Sequence, residues 1–321
     1  MAEIAIIGAG MAGLTAGATL SGAGHKVRVY EKSGGLGGRL ATRRSPAGGF
    51  DHGAPGFTAA DPSFAAFLAG AAKGNHTVSW PGGEAMLLST TPGPAHVGLP
   101  GASGTVRAFL GTSPGLPEAQ IQRRAEVTAI ARAPNGSWQL ALSDDTAEAE
   151  HLLLAIPAPQ AARLLATAGL SNAPLDAVTM APRLTAMVAF EAPIATPARL
   201  SPPLEKAVRE SGKPGKTEGQ DRWVLHATAG WSAEKIEHEK DDIADALIAA
   251  FAESAGPLPP APYRAGHRWR YALTTNALGQ PCLWDADARL GLCGDWCLGD
   301  TVEHAFLSGN ALAAAVMAHL A

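Results

Sequence analysis

Cysteine is scarce in this chain: 321 residues carry three, Cys282, Cys293 and Cys297. They form no C-x-x-C pair and no ladder of spaced pairs, which excludes a disulfide-stapled scaffold and argues for a reducing compartment. Cys293 and Cys297 have no His or Cys partners at ligand spacing, so no metal site is expected. Charge is sparse as well. Charged residues make up 17% of the chain and the formal net charge is −4, which speaks against a nucleic-acid-binding surface. No apolar run is long and unbroken enough to span a bilayer, and the first residues read as a core strand rather than a signal peptide. The expectation is a cytoplasmic protein with no membrane and no nucleic-acid partner. No Ser/His/Asp set or pair of carboxylates stands out, so no residue is assigned a catalytic acid–base or nucleophilic role. What the chain has in quantity is glycine (37), proline (24) and a 46% hydrophobic fraction: many turns around a substantial core.

The turns begin at once. Ala5-Ile6-Ile7 reads as a short buried strand, followed by Gly8, Gly10 and Gly13 in the spacing G-x-G-x-x-G. Leu14 to Leu20 reads as a helix, Val27 to Tyr30 as a second strand, and Glu31 stands at its end. This is the dinucleotide fingerprint in its required context of strand, turn, helix, strand and acid. Gly8 permits the tight turn, Gly10 lets the backbone approach a pyrophosphate, and Gly13 lets the helix pack on the strand. Met11 and Ala12, between the glycines, are expected cofactor contacts, and the helix N-terminus offers free N–H groups and a positive dipole end to the phosphates. Glu31 is placed to accept from a ribose hydroxyl. A second Gly-rich stretch follows, KSGGLGGRLATRR over 32–44. An NAD domain needs no such loop, whereas two-dinucleotide flavoproteins carry one. Lys32, Gly37, Gly38 and Arg39 are therefore read as flavin-side contacts, with Arg39 meeting a phosphate or the ring edge. For Arg43 and Arg44 an ordinary turn with a solvated basic end stands equally open.

Residues 45–62 read as a loop, with Asp51, His52 and Phe57 in it, and 64–72 as a helix. Residues 73–104 mix short strands and turns, with a helix from about Ser103 to Leu110. A strand over 121–132 pairs with 137–142 across the Pro134-Asn135-Gly136 turn. Residues 151–157 form an apolar strand ended by proline, and 158–168 a helix. Strands follow at 184–190 and 223–229, separated by a Pro-rich polar stretch. Residues 233–254 read as one amphipathic helix, and 267–272 as a strand with Trp269 and Tyr271 on one face and Arg268 and Arg270 on the other.

Near the end, Leu290 to Asp295 reads as a strand running into a Gly294-Asp295 turn, and Val302 to Leu320 as a long helix. Asp295 is acidic and suits a chain of hydroxyls, such as a ribityl arm, better than a phosphate. It also suits a simple turn or cap. The helix beyond it offers its N-terminus to negative charge on a reduced flavin ring.

Taken together, IIGAGMAGL (6–14), EKSGGLGGRLATRR (31–44), FDHGA (50–54), FTAADPSF (57–64), AIPAPQAARLL (155–165), WVLHAT (223–228), HRWRYA (267–272) and GDWCLGDTVEHAFLSG (294–309) resemble the renalase-like branch of the FAD-dependent amine-oxidase superfamily. The resemblance runs end to end, and its last two stretches are the most specific. It implies an α/β fold of the glutathione-reductase-2 or p-hydroxybenzoate-hydroxylase type: a Rossmann-like FAD-binding domain, discontinuous over 1–75, 100–165 and 275–321, with an inserted mixed-sheet α+β substrate domain over 76–99 and 166–274. It implies non-covalent FAD, with Gly53 and Ala54 at the cofactor, Val127 near the adenine, and Val302, Glu303 and Ala305 by the isoalloxazine ring. It further implies hydride transfer from a small reduced nitrogen heterocycle, a dihydro-NAD(P) isomer, with O2 taking the electrons.

Two places depart from relatives. Pro55-Gly56 stands where they have Gln-Tyr, and Arg183-Leu184 where they often have Cys-Trp. Both are expected to face substrate, with Gly56 leaving a roomier site and Arg183 adding a positive charge, beside His226, Trp269 and Tyr271. His52, His226 and His267 also read as ordinary satisfied structural residues. Competing functions are a flavin amine oxidase, a flavin dehydrogenase or desaturase on another small substrate, and a non-catalytic binding protein on the same fold.

Overall fold

The computed structural model describes residues 1–83, 87, 93–111, 115–216 and 219–321. The chain clusters into two compact units, one of Met1–Gly38, Val106–Thr179 and Thr274–Ala321, the other of Arg39–Thr105 and Met180–Leu273. These boundaries differ from those expected: residues 39–75 and 100–105 group with the second unit, and 166–179 and 274 with the first. The β-hairpin and helix within 39–75 pack on strands of the second unit, which the motif-based division could not register.

The first unit is built on a six-stranded sheet in the order Leu283–Asp285, Leu290–Leu292, His151–Leu154, Glu3–Ile7, Lys26–Glu31, Ile121–Arg123. All neighbours are parallel except the first pair. The central strands are apolar because both of their faces are covered: Ile4, Ile6, Val29, Leu152, Leu153 and Leu154 are all buried. Helix Met11–Gly22 lies against helix Val302–Leu320, and a Cβ on Gly309 would come within 2.3 Å of the Ala12 carbonyl oxygen. Only glycine permits that approach. A three-stranded meander, Val127–Arg132, Trp138–Leu142 and Thr146–Ala149, completes the unit. The strand expected over 121–132 is broken, since Arg124 adopts φ +55° between Ile121–Arg123 and Val127–Arg132.

The second unit holds a four-stranded sheet in the order Leu204–Arg209, Asp221–Ala227, Thr179–Phe190, Tyr263–Asn276. One of its faces packs Leu184, Ala186, Val188, Phe190, Trp223 and Leu225 on Ile243, Leu247 and Phe251 of helix Lys240–Ala255. The helix expected over 233–254 is two, Ala229–Glu234 and Lys240–Ala255, with the polar run 235–239 forming the corner. The expected loop over 45–62 contains strand Gly48–Asp51, paired with Thr42–Ser45, and strand Phe57–Thr58, paired with Ala95–Gly98. The helix expected from Ser103 to Leu110 is a single turn, Gly104–Arg107. Part of the mixed stretch over 73–104 lies outside the described residues. Among those described, no helix is long and apolar enough to cross a membrane.

Candidate functional site

Within the first unit, parallel pairing brings the carboxyl ends of Glu3–Ile7, Lys26–Glu31, His151–Leu154 and Leu290–Leu292 to one edge, where ligands bind in sheets of this kind. The turns there are those singled out in the sequence. Gly8 has φ +106°, and a Cβ on it would lie 2.5 Å from the Ala155 carbonyl oxygen. A Cβ on Gly13 would lie 2.0 Å from the carbonyl oxygen of Gly8. At Gly10, by contrast, a Cβ would meet nothing within 4 Å. Two glycines are therefore required by the protein's own packing, and the third keeps open space at the helix start. Gly10 is the N-cap of helix Met11–Gly22, and no side chain caps it. The first-turn N–H groups of Met11, Ala12 and Gly13 have no intrahelical acceptor. An anion-binding cradle is what this leaves, and a dinucleotide pyrophosphate fits it.

Glu31 is buried and accepts from the Ala9 N–H at 2.9 Å and the Ser33 N–H at 2.8 Å, one bond to each carboxylate oxygen. It ties the fingerprint turn to the second Gly-rich loop and retains lone pairs for a ribose hydroxyl. That loop is drawn in further by the Gly37 N–H, which donates to the Ala9 carbonyl at 2.8 Å, and by a backbone bridge between Gly10 and Gly37. Gly38 has φ +55° and would place a Cβ 3.6 Å from the Gly10 Cα, while Lys32 is exposed.

The Gly294-Asp295 turn is anchored from two sides. Gly294 N–H donates to Ser308 Oγ at 3.0 Å, and Trp296 Nε1 donates to the Ile156 carbonyl at 3.0 Å. Asp295 is buried and accepts from Thr274 Oγ1 at 3.3 Å. The helix beyond it closes on itself more than the sequence suggested. Thr301 Oγ1 accepts from the His304 N–H at 3.1 Å, and the Thr301 N–H donates to His304 Nδ1 at 3.4 Å. This capping box takes up the third N–H, that of His304; Glu303 is buried and Ala305 half-buried. Val127 begins the meander as a buried residue. Burial drives the Cys293 thiol well up and pushes Cys297 up to about 12, so neither is a thiolate at neutral pH. No cluster of metal-binding side chains occurs among the described residues.

Within the second unit the sequence-expected residues form a different cluster. Arg39 Nη1 donates to the Ala272 carbonyl at 3.0 Å, and the Ala54 N–H donates to the Arg39 carbonyl at 2.9 Å. A Cβ on Gly53 would lie 2.0 Å from that same carbonyl oxygen and 3.3 Å from the Trp269 ring. Trp269 Nε1 donates to the His52 carbonyl at 2.9 Å. His52 and His267 meet edge to face with centroids 4.5 Å apart, and Trp269 lies 5.1 Å from the first and 4.4 Å from the second. The two histidines stand 215 residues apart in the chain, so no sequence spacing connects them into this trio. Their imidazoles are neutral at physiological pH: burial holds His52 at about 4 and His267 at about 3. The expected alternation along 267–272 is present, since Arg268 donates to the His238 carbonyl at 2.6 Å and Arg270 pairs with Glu237, away from Trp269. Tyr271 is half-buried.

Two expectations about this unit are corrected. Gly56 does not leave a roomier site, because a Cβ there would lie 2.8 Å from the His96 carbonyl oxygen, 3.1 Å from Leu87 and 3.3 Å from Trp80. Arg183 does not contribute an uncompensated charge, since its Nη2 lies 2.7 Å from Glu205.

Residues 6–71 match the family of NAD(P)-binding Rossmann-like domains. An L-amino-acid oxidase of Echis ocellatus is 54% identical over 43 residues, which are 13% of this chain and 8% of that protein's length. At the level of fold, the chain is similar to a protein of Exiguobacterium sp. 255-15 provisionally named protoporphyrinogen oxidase, with TM-score 0.76, 13% identity and coverage of 98% of each chain. It is likewise similar to a cyclohexylamine oxidase of Brevibacterium oxydans IH-35A, with TM-score 0.66, 13% identity and coverage of 99% of each chain. The architecture is thus a Rossmann-like α/β fold shared with amine-oxidase-type proteins.

Proposed function

We propose that the protein is an FAD-dependent oxidoreductase acting on a small reduced nitrogen compound. The observation that carries this reading is the single sheet edge in the first unit. Along it lie an open, uncapped helix start at Gly10, the ribose-ready carboxylate of Glu31, the second glycine loop and the Asp295 turn. The name of the matched family and the names of the oxidases of similar fold support the same class.

Bound FAD supplies a two-electron acceptor for a hydride leaving a carbon next to nitrogen. The chain's own part is to bind and orient. Met11, Ala12 and Gly13 meet the pyrophosphate, Glu31 a ribose, and Asp295 the ribityl hydroxyls. Gly38 belongs to the flavin side, Val127 to the adenine, and Val302, Glu303 and Ala305 to the ring. Binding is non-covalent, in keeping with thiols held protonated at Cys293 and Cys297. Hydride transfer needs little acid–base help, and the neutral His52 and His267 suit a cavity wall beside Trp269 better than a proton relay.

The finer reading is renalase-like: the substrate is a dihydro-NAD(P) isomer and O2 is the final acceptor. A second reading, an amine or amino-acid oxidase, is favoured by the names of the matched proteins. Anaerobic mixing separates them. Bleaching of the flavin absorbance faster by 2- or 6-dihydro-NAD(P) than by a monoamine or an L-amino acid supports the first. The reverse order overturns it.

A further inference from the structure

The four-stranded sheet of the second unit has one face in the apolar core and one that changes character along its length. At one end of this second face, Met187, Ala189 and Val224 pack on Phe50. Towards the other end, Thr185 and Lys206 stand on either side of His226 in the strand register. Arg183, two residues before Thr185, shares this face. Its ion pair with Glu205 joins the third strand of the sheet to the first, so its side chain must reach across the middle strand that carries His226.

Two buried side-chain nitrogens on this face lack a hydrogen-bond partner among the described residues. His226 is 2% exposed; its Nδ1 lies 3.1 Å from Thr185 Oγ1, and its Nε2 has no hydrogen-bond partner. Arg183 is 8% exposed, and its Nε has none either. Buried polar groups are rarely left unsatisfied, because desolvation without a bond is costly. Here two occur on adjacent strands of one face, and one of them is a guanidinium N–H that can only donate.

We propose that Arg183 Nε and His226 Nε2 form a subsite for an oxyanion, a carboxylate or phosphate carried by the protein's ligand. Glu205 fixes the guanidinium through Nη2, and the buried Nε is left without a hydrogen-bond partner. Thr185 fixes the imidazole through Nδ1. Burial lowers the proton affinity of His226 most, and Arg183, Lys206 and Lys213 lower it further. The ions nearby are paired with one another, Arg183 with Glu205, and Lys213 and Lys216 with Asp51 and Glu210. The donor left over sets the ligand's chemistry: the Arg183 Nε–H can only donate, which suits an acceptor such as an oxyanion and not a substrate ammonium. The subsite rests on the oxidoreductase reading only in taking its ligand to be the substrate.

The test uses the full chain with labelled histidine and follows the His226 ring resonance by NMR while acetate, inorganic phosphate or chloride is added. The expected result is a saturable shift with acetate or phosphate beyond that of chloride at equal ionic strength, accompanied by a rise in the His226 pKa. Saturation by acetate alone assigns a carboxylate, and by phosphate alone a phosphate. Arg183→Gln should weaken binding at least tenfold. Glu205→Gln removes the competing acid from a partly exposed position and should tighten binding severalfold. A shift no larger than that of chloride, or Glu205→Gln binding no tighter than the unmodified chain, overturns the proposal. Flavin content and anaerobic reduction measured on the same sample report separately on the oxidoreductase reading. A reducible flavoprotein with no anion-dependent shift sinks the subsite alone, and a flavin-free protein that still binds sinks the oxidoreductase reading alone.

Discussion

The Cβ that Gly13 lacks would lie 2.0 Å from the carbonyl oxygen of Gly8. The first and last glycines of the fingerprint are thus in mutual contact, and the turn closes only because the third glycine has no side chain. Gly13→Ala must push helix Met11–Gly22 off its strand. The expected outcome is a loss of about 1–3 kcal/mol, typical of overpacking, together with loss of bound flavin. Thermal unfolding and the flavin-to-protein ratio check both parts. Gly10→Ala is the informative contrast: its Cβ has open space, so stability should hold while cofactor affinity falls.

A buried ion network ties the Gly48–Asp51 strand to the loop after Leu204–Arg209. The side chains of Asp51, Glu210 and Lys213 have 0% exposure, and Lys213 Nζ lies 3.2 Å from Asp51 and bonds Glu210, while Lys216 reaches both acids at 3.0 and 3.1 Å. Burial alone would raise the Asp51 carboxyl. Lys213 and Lys216, with the Ala102 N–H and the Thr42 hydroxyl, instead bring it down to about 2. Lys213→Met strands two buried carboxylates on one lysine and should cost about 3–5 kcal/mol in urea unfolding. A change below 1 kcal/mol would show that the network is not closed as described.

The His52–His267 pair gives a pH dependence of definite sign. Both pKa values are lowered on folding, from 6.5 to about 4 and about 3. Between those values and 6.5 the unfolded chain binds more protons than the folded one. Stability is therefore full above about pH 6.5 and falls as the pH drops towards 4, by on the order of 1 kcal/mol per pH unit for each histidine that stays neutral. His52→Phe, measured by unfolding at pH 7 and pH 5, should flatten this slope. An unchanged slope would mean that His52 is protonated in the folded chain.

Gly56 offers a test of the substrate side. Restoring the tyrosine that the resemblance leads one to expect, by Gly56→Tyr, drives a side chain into the His96 carbonyl, Leu87 and Trp80. The expected outcome is destabilisation of about 1–3 kcal/mol and no gain in monoamine turnover. A stable variant that oxidises monoamines faster would mean that the position faces an open site.

The sequence disclosed the first unit far better than the second, for a physical reason. Gly8, Gly13 and Glu31 answer local demands of backbone clearance and N–H pairing, and their spacing carries those demands openly. Apolar runs such as Leu152–Leu154 announce a doubly covered sheet. The second unit rests on long-range pairings instead. Asp51 meets Lys213, Arg183 meets Glu205, and His52 meets His267 and Trp269. Each of these residue types is, taken singly, ordinary for a loop or a solvated face. Strand Leu204–Arg209 went unrecognised in a Pro-rich polar stretch for the same cause. Arg183 was singled out by sequence, but the Glu205 that neutralises it lies on a different strand, and no spacing rule connects the two.

The central claim is that the turns at Gly10, Glu31, Gly38 and Asp295 serve FAD. The most direct measurement is to purify the protein, record its absorbance, denature it and identify what enters the supernatant. The account requires a yellow protein that releases intact FAD in about a one-to-one ratio, with none left on the precipitated chain and much less retained by Asp295→Ala, whose lost hydrogen bonds should cost about 1–3 kcal/mol of binding. A colourless protein that takes up no added FAD, or flavin that stays with the precipitate, would contradict it.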